Sequence, residues 1–103
     1  MIAVTLDNAA AARHLRELAA RLELEGVEHS PRAYRRAADT VERERRSIAE
    51  ICSEEGVGGL EALPGIGSHI ACTLRELLDT GAIARLERLR RATPVAVMSL
   101  LAI

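Results

Sequence analysis

One stretch of the 103-residue sequence, Leu63-Pro64-Gly65-Ile66-Gly67, decides how the chain folds. Its proline fixes its own φ angle and ends the segment before it, while the two glycines allow backbone angles that a Cβ would forbid. Ile66 lies between the glycines and is expected to insert into the core. Ser68 is expected to cap a following helix, because a serine oxygen accepts hydrogen bonds from free N–H groups of a first turn. The stretch therefore predicts a tight turn between two helices.

Apolar residues recur at helical spacing after this turn, and no segment alternates with the period of two that marks a strand. A loop at Gly58-Gly59 and a short helical turn over residues 60–63 are expected before it. The helix after it should end at Gly81. Further short helices are expected over residues 83–89 and after Thr93-Pro94. The apolar side of the helix after the turn consists of Ile70, Leu74, Leu77 and Leu78.

The first half of the chain predicts three more helices. Asp7 caps the first, which ends at Gly26. Ser30-Pro31 begins the second, since serine caps well and proline suits the first helical position. The capping box Ser47–Glu50 opens a short third helix that stops near Gly56. The buried side of the second helix is expected to be formed by small residues, namely Ala33, Ala37, Ala38 and Val41.

Composition limits the fold class and the kind of partner. The length fits one domain over residues 1–103, and apolar residues make up 49%, with Tyr34 as the single aromatic residue. An aliphatic core suits closely packed helices, so the expected fold is all-α, a compact bundle of four to six short helices. Recognition of single strands by base stacking needs several aromatic side chains, which argues against that class of function.

Charge is segregated along the chain although the net formal charge is −1. All 14 basic residues are arginine, and residues 30–46 and 82–91 hold most of them. This distribution allows a basic face on the folded chain. The alternative is a set of solvated helix faces with ordinary ion pairs.

The turn also predicts a binding site made of main-chain N–H groups. The main-chain N–H groups of Gly65, Gly67, Ser68 and His69 should converge where the next helix begins, beside the positive end of its dipole. Such a helix N-terminus binds phosphate without a charged side chain, and contacts to the DNA backbone carry no sequence information. The alternative is an ordinary turn that binds nothing. Because the turn lies between two helices, the sequence favours a helix-hairpin-helix motif at about residues 60–80 that binds DNA phosphates.

The cysteines and the apolar segments indicate where the chain resides. Cys52 and Cys72 form no CxxC pair, so we expect two buried free thiols in a reducing cytoplasm. The chain does not begin with a signal segment. Its apolar stretch 95–103 is far too short to span a bilayer, so no membrane partner is expected.

Several stretches together resemble the amino-terminal domain of family X DNA polymerases, the group that includes DNA polymerase beta. The resemblance covers nearly the whole chain and implies a compact helical domain of DNA repair that binds gapped or nicked DNA at a 5′-phosphate. It also implies that any nucleotidyl-transfer domain lies outside these residues. The matching stretches are Asp7-Asn8, Arg32-Ala33-Tyr34-Arg35-Arg36-Ala37-Ala38, residues 63–71 and Leu77-Leu78-Asp79-Thr80-Gly81.

The resemblance implies a phosphate pocket. Tyr34 matches the pocket tyrosine of the family, His29 aligns with a pocket histidine, and Arg35 follows the tyrosine as in the family. His69 should donate to phosphate from the helix N-terminus, with Arg35 and Arg36 nearby. The alternatives are that Tyr34 is only a large core residue and His29 only a loop residue.

In many members this domain is also a lyase that removes a 5′-deoxyribose-phosphate through a Schiff base. The reaction needs a primary amine that can lose its proton, which lysine supplies and arginine does not. This chain has no lysine, and the Schiff-base lysine of the family aligns with Thr73. We therefore expect no catalytic side chain, which leaves the N-terminal amine as the remaining route to lyase activity.

Two further expectations concern ligands and partners. Hairpins of this family can hold a sodium or potassium ion on main-chain carbonyls, and the matching positions are Glu61, Leu63 and Ile66. No other cofactor is expected. The competing hypothesis is a protein-interaction module that kept the fold without DNA binding, which the net charge and the missing lysines favour.

Overall fold

The computed structural model of the protein describes residues 6–26 and 30–92. Within them the chain forms five α-helices and no strand, which confirms the expected all-α class with four to six short helices. The helices are α1 (Asn8–Leu24), α2 (Ser30–Arg43), α3 (Ile48–Glu61), α4 (Ser68–Thr80) and α5 (Ala84–Ala92). The helix expected after Thr93-Pro94 and the apolar stretch 95–103 lie outside the described residues.

Most helix ends in this part of the chain follow the expected signals. The Asp7 carboxylate accepts a hydrogen bond from the Ala10 N–H at 2.7 Å and caps α1, which ends just before Gly26. The Ser47 hydroxyl oxygen accepts from the Glu50 N–H at 3.4 Å at the start of α3. Gly81 ends α4. These local signals therefore set the helix boundaries.

Helix α3 is interrupted at Gly56, where φ is 70° and ψ is −162°. A positive φ favours glycine, so the expected stop near Gly56 is confirmed. The expectation that Gly58-Gly59 is a loop was wrong, because helical structure resumes directly after Gly56. Gly59 allows this packing, since a Cβ added there would lie 2.6 Å from Cβ of Glu55 and 2.9 Å from Cγ2 of Ile51.

The core is otherwise aliphatic, with Tyr34 as its largest member, and the most extensive packing between described helices joins α1 to α2 and α3 to α4. Ile66 inserts from the turn into this core, as expected. Two burial expectations were wrong. Ala33 is exposed because its side of α2 borders a cleft, and Cys72 is exposed on α4 while Cys52 is half-buried.

Two polar clusters fasten the helices to each other. The Asn8 amide donates to the carbonyls of Glu44 and Arg46 and accepts from the Ile48 N–H at 2.9 Å, which ties α1 to the turn between α2 and α3. Glu17 of α1 binds Arg90 of α5 at 2.7 Å.

Glu17 also accepts a hydrogen bond from Arg21, a neighbour on α1 that is 2% exposed. The hydrogen bond from Arg90 is the main cause that lowers the pKa of Glu17 to about 2, and the bond from Arg21 adds to it. Burial opposes this shift, because desolvation disfavours the charged carboxylate. The ion pairs therefore hold α5 against α1 most strongly when Glu17 is ionised.

Candidate nucleic-acid interface

The turn before α4 has the backbone that its sequence demands. The Ile66 N–H donates to the Leu63 carbonyl at 3.2 Å, which closes a four-residue turn. Gly65 has a φ of 77°, and proline followed by a residue at positive φ is the pattern of a type II turn. The turn thus directs the chain from the end of α3 into α4 while Ile66 stays in the core.

Helix α4 begins without a side-chain cap. Gly67 is its N-cap residue, so the expectation that Ser68 caps the helix was wrong, and Ser68 is the first helical residue. The N–H of Ala71 is the first to bond within the helix, to the Gly67 carbonyl at 2.9 Å. Within the described residues, the earlier N–H groups of α4 and those of Gly65 and Gly67 have no acceptor. A helix that begins this way presents several free donors at the positive end of its dipole.

A cleft of about 400 Å³ opens at this end of α4. It brings together residues from α2 and from the hairpin that are some thirty positions apart in the sequence. No acidic side chain lines it, so nothing in its wall repels an anion. The lining residues are Ala33, Tyr34, Gly65, Gly67, Ser68, His69 and Ile70.

Tyr34 and His69 contact each other in the lining of this cleft. The Tyr34 hydroxyl lies 3.0 Å from Nε2 of His69, and the two rings meet edge to face. The Tyr34 side chain is 1% exposed, whereas His69 is exposed. With the hydroxyl as donor, a neutral His69 carries its remaining proton on Nδ1, where it can donate to a ligand. Tyr34 is therefore a core residue whose hydroxyl reaches the cleft wall, and its contact with phosphate stays a prediction.

The two adjacent arginines of α2 point to different places. The Arg36 side chain lies against the hairpin, since a Cβ added to Gly65 would come within 2.8 Å of its Cγ and Cδ. Arg35 instead pairs with Glu23 of α1. The structure thus brings Arg36 to the hairpin and not Arg35, while His29 lies outside the described residues.

Comparison with known families agrees with this geometry. A family model described as a helix-hairpin-helix domain matches residues 6–83, which is most of the chain. The chain belongs to the helix-hairpin-helix domain family. Domains of this type generally bind nucleic acid, and the type is seen at the amino terminus of family X DNA polymerases. No curated protein matches the chain.

The resemblance implies an alkali-metal ion on three main-chain carbonyls of the hairpin, and the structure describes the hydrogen bonding of one of them. The Leu63 carbonyl accepts one hydrogen bond, from Ile66, which leaves it a second lone pair. Hard main-chain oxygens of this kind suit cations such as sodium or potassium. The ion at Glu61, Leu63 and Ile66 stays a prediction. In the described part of the chain, no group of three acidic, histidine or cysteine side chains could hold a metal.

Sequence reasoning missed Thr40 as part of the helix-hairpin-helix site. Its hydroxyl donates to the Pro64 carbonyl at 2.7 Å and fastens α2 to the hairpin. The available signal is spacing, because Thr40 follows Arg36 by four residues and so lies on the same helix face.

Among the residues described, no helix is long and apolar enough to cross a membrane.

Proposed function

We propose that this helix-hairpin-helix domain binds the sugar-phosphate backbone of DNA at a 5′-phosphate of a gap or nick, without reading base sequence. The observation that carries the proposal is the group of free N–H donors at the start of α4, which border an open cleft. Donors of this kind bind phosphate oxygens at the positive end of the helix dipole. Because they contact the backbone, they do not discriminate between bases.

Side chains around the cleft support the same ligand. His69 offers a donor beside the helix N-terminus, held by the hydroxyl of Tyr34. Arg36 lies against Gly65 with no acidic partner in the described residues, so its charge is available to a phosphate. The small residues Ala33 and Gly67 keep the cleft open, because neither places a large side chain in it.

The proposal extends to the origin of the domain. The stretches that resemble family X DNA polymerases support an origin as part of a repair polymerase of this family, with residues 1–103 as one helical unit that acts in the cytoplasm. The binding function needs no lyase step, and the chain has no lysine for one.

Fluorescence anisotropy on a gapped duplex tests the proposal. One duplex carries a 5′-phosphate at the gap, and a second, otherwise identical, carries a 5′-hydroxyl. The phosphorylated duplex should bind more tightly, and binding to both should weaken with salt, because neutralised phosphates release counterions. Equal affinity for the two ends would contradict the 5′-phosphate role, and no binding to either would contradict the DNA role.

A protein-interaction module is the second candidate function. A net charge of −1 favours it, as does a second cleft of about 380 Å³ between α3 and α4, which the half-buried side chains of Cys52 and Leu78 line. Size-exclusion chromatography distinguishes the candidates. A stable dimer that excludes DNA would support this function over phosphate binding.

A further inference from the structure

A separate groove of about 240 Å³ lies where the end of α2 meets Pro64. Its walls come from Thr40, Arg43, Glu44 and Pro64. None of the sequence signals for phosphate binding pointed to this groove. It is open to solvent, and it borders the same hairpin as the cleft at the start of α4.

The cleft and the groove follow one another along α2. Tyr34 lies in the cleft, Arg36 lies against Gly65, and Thr40 bonds to the Pro64 carbonyl at the groove. Helix α2 therefore runs beside the hairpin, and a strand bound at the cleft can continue along this helix into the groove. The two cavities form one track, which we call the α2 track and define by Tyr34, Arg36, Thr40 and Arg43.

The charge along the α2 track suits a polyanion. Arg43 is exposed and makes no hydrogen bond or ion pair with any residue of the described part, and the same is true of Arg36. Several other arginines of the described surface are paired with acids, among them Arg16 with Asp39 and Glu42, Arg35 with Glu23, and Arg46 with Glu54 and Glu55. The acid of the groove is Glu44, whose carboxylate accepts a hydrogen bond from the Arg46 N–H at 3.2 Å. An unpaired guanidinium matches phosphate oxygens in a bidentate geometry.

The spacing along the track corresponds to a short length of one strand. Arg43 lies nine positions after Tyr34 on α2, and a rise of 1.5 Å per residue gives about 13.5 Å. A strand of B-form DNA rises by about 3.4 Å per phosphate along the duplex axis and also winds around it, so successive phosphates lie farther apart than this and the span holds at most about four nucleotides. A terminal 5′-phosphate in the cleft has nucleotides only on its 3′ side, so the strand must run from the cleft towards Arg43.

We propose that Arg43 and the groove beside Pro64 bind a second phosphate of the same strand, within about four nucleotides to the 3′ side of the phosphate in the cleft. This inference rests on the proposed function, because the phosphate in the cleft sets the register. It assigns the α2 track to the strand that begins at the gap and gives that strand a direction across the domain.

A scan with neutral phosphates tests the inference in the full chain. Single methylphosphonates are placed at the first to the eighth internal linkage of the 5′-phosphorylated strand, and affinity is measured for each duplex. The unaltered chain should bind about tenfold more weakly when the neutral linkage lies at one position among the first four. The variant Arg43→Gln should lose that sensitivity while still preferring the 5′-phosphate over the 5′-hydroxyl.

The control variant is Arg13→Gln, which removes an exposed arginine that also has no partner in the described part of the chain and lines neither cavity. It should keep the profile of the unaltered chain. A flat profile for the unaltered chain, or an unchanged profile for Arg43→Gln, overturns this inference alone, provided that the 5′-phosphate preference remains. Loss of that preference in the unaltered chain overturns the proposed function, and the register with it.

Discussion

A single change at Gly67 should move stability and DNA binding in opposite directions. Gly67 is the N-cap of α4, with φ −89° and ψ −177°, which is extended backbone that any residue adopts. A Cβ added there would meet nothing within 4 Å. The change Gly67→Asp therefore fits the fold, and its carboxylate is placed to accept hydrogen bonds from the free N–H groups of the first turn.

The two effects can be given magnitudes. Aspartate caps better than glycine and interacts favourably with the helix dipole, which together should stabilise the fold by about 0.5–1 kcal/mol. The same carboxylate occupies the donors that a phosphate needs. It also repels a phosphate about 5 Å away by about 1–3 kcal/mol, for an effective dielectric constant between 80 and 20. DNA affinity should therefore fall about 5- to 150-fold.

Thermal unfolding and anisotropy on the 5′-phosphorylated gapped duplex measure both effects in the same variant. The variant Gly67→Asn is the matched control, because asparagine caps the helix almost as well but adds no charge. It should keep most of the stability gain and lose less affinity than the aspartate variant. If Gly67→Asp unfolds at a higher temperature and still binds DNA as tightly as the unaltered chain, the N–H groups of α4 do not hold the phosphate.

Four other changes test the cleft and the fold. Tyr34→Phe should weaken binding to the 5′-phosphorylated gap a few-fold in anisotropy. Its effect should not add to that of His69→Gln, because the Tyr34 hydroxyl acts by holding the His69 ring. The lowered pKa of Glu17 means that its ionised form contributes about 3 kcal/mol, which is present above pH 4.5 and is lost as the pH falls towards 2. Glu17→Gln should accordingly be less stable than the unaltered chain in urea at pH 7 but nearly equal to it at pH 2, and an equal deficit at both values would contradict this. Gly59→Ala should cost about 1–3 kcal/mol in urea unfolding, because its Cβ would overlap α3, whereas an unchanged midpoint would show that the packing relaxes freely. Asn8→Ala should cost about 1.5–3 kcal/mol by the same measurement, since it leaves three main-chain groups without their partner, and a loss below 0.5 kcal/mol would count against that role.

Local signals made the elements of this fold predictable. The proline and the positive-φ glycine of the turn depend only on their own backbone preferences, so the sequence was enough to locate the turn and the insertion of Ile66. Gly56 and Gly81 ended helices for the same reason. Where a residue's conformation is decided by its own chemistry, sequence and structure agree.

Features that depend on packing were harder to predict. Adjacent residues of a helix differ by about 100° in direction, so the sequence could not show that Arg36 faces the hairpin while Arg35 faces α1. Ala33 fits the apolar pattern of α2 but borders the cleft, because the hairpin and not another helix lies beside it. The N-cap of α4 lies one residue earlier than expected because the chain is already helical at Ser68, so Gly67 takes the cap position despite the capping preference of serine.

The way in which the hairpin is fastened has a consequence for the speed of recognition. The Ile66 side chain is buried in the core, the Ile66 N–H closes the turn on the Leu63 carbonyl, and the Thr40 hydroxyl binds the Pro64 carbonyl. A loop restrained at three points has little conformational entropy left to lose when a ligand arrives, so its donors are preorganised. Encounter with DNA should then be limited by diffusion and orientation, and weak complexes should differ from strong ones chiefly in how long they last.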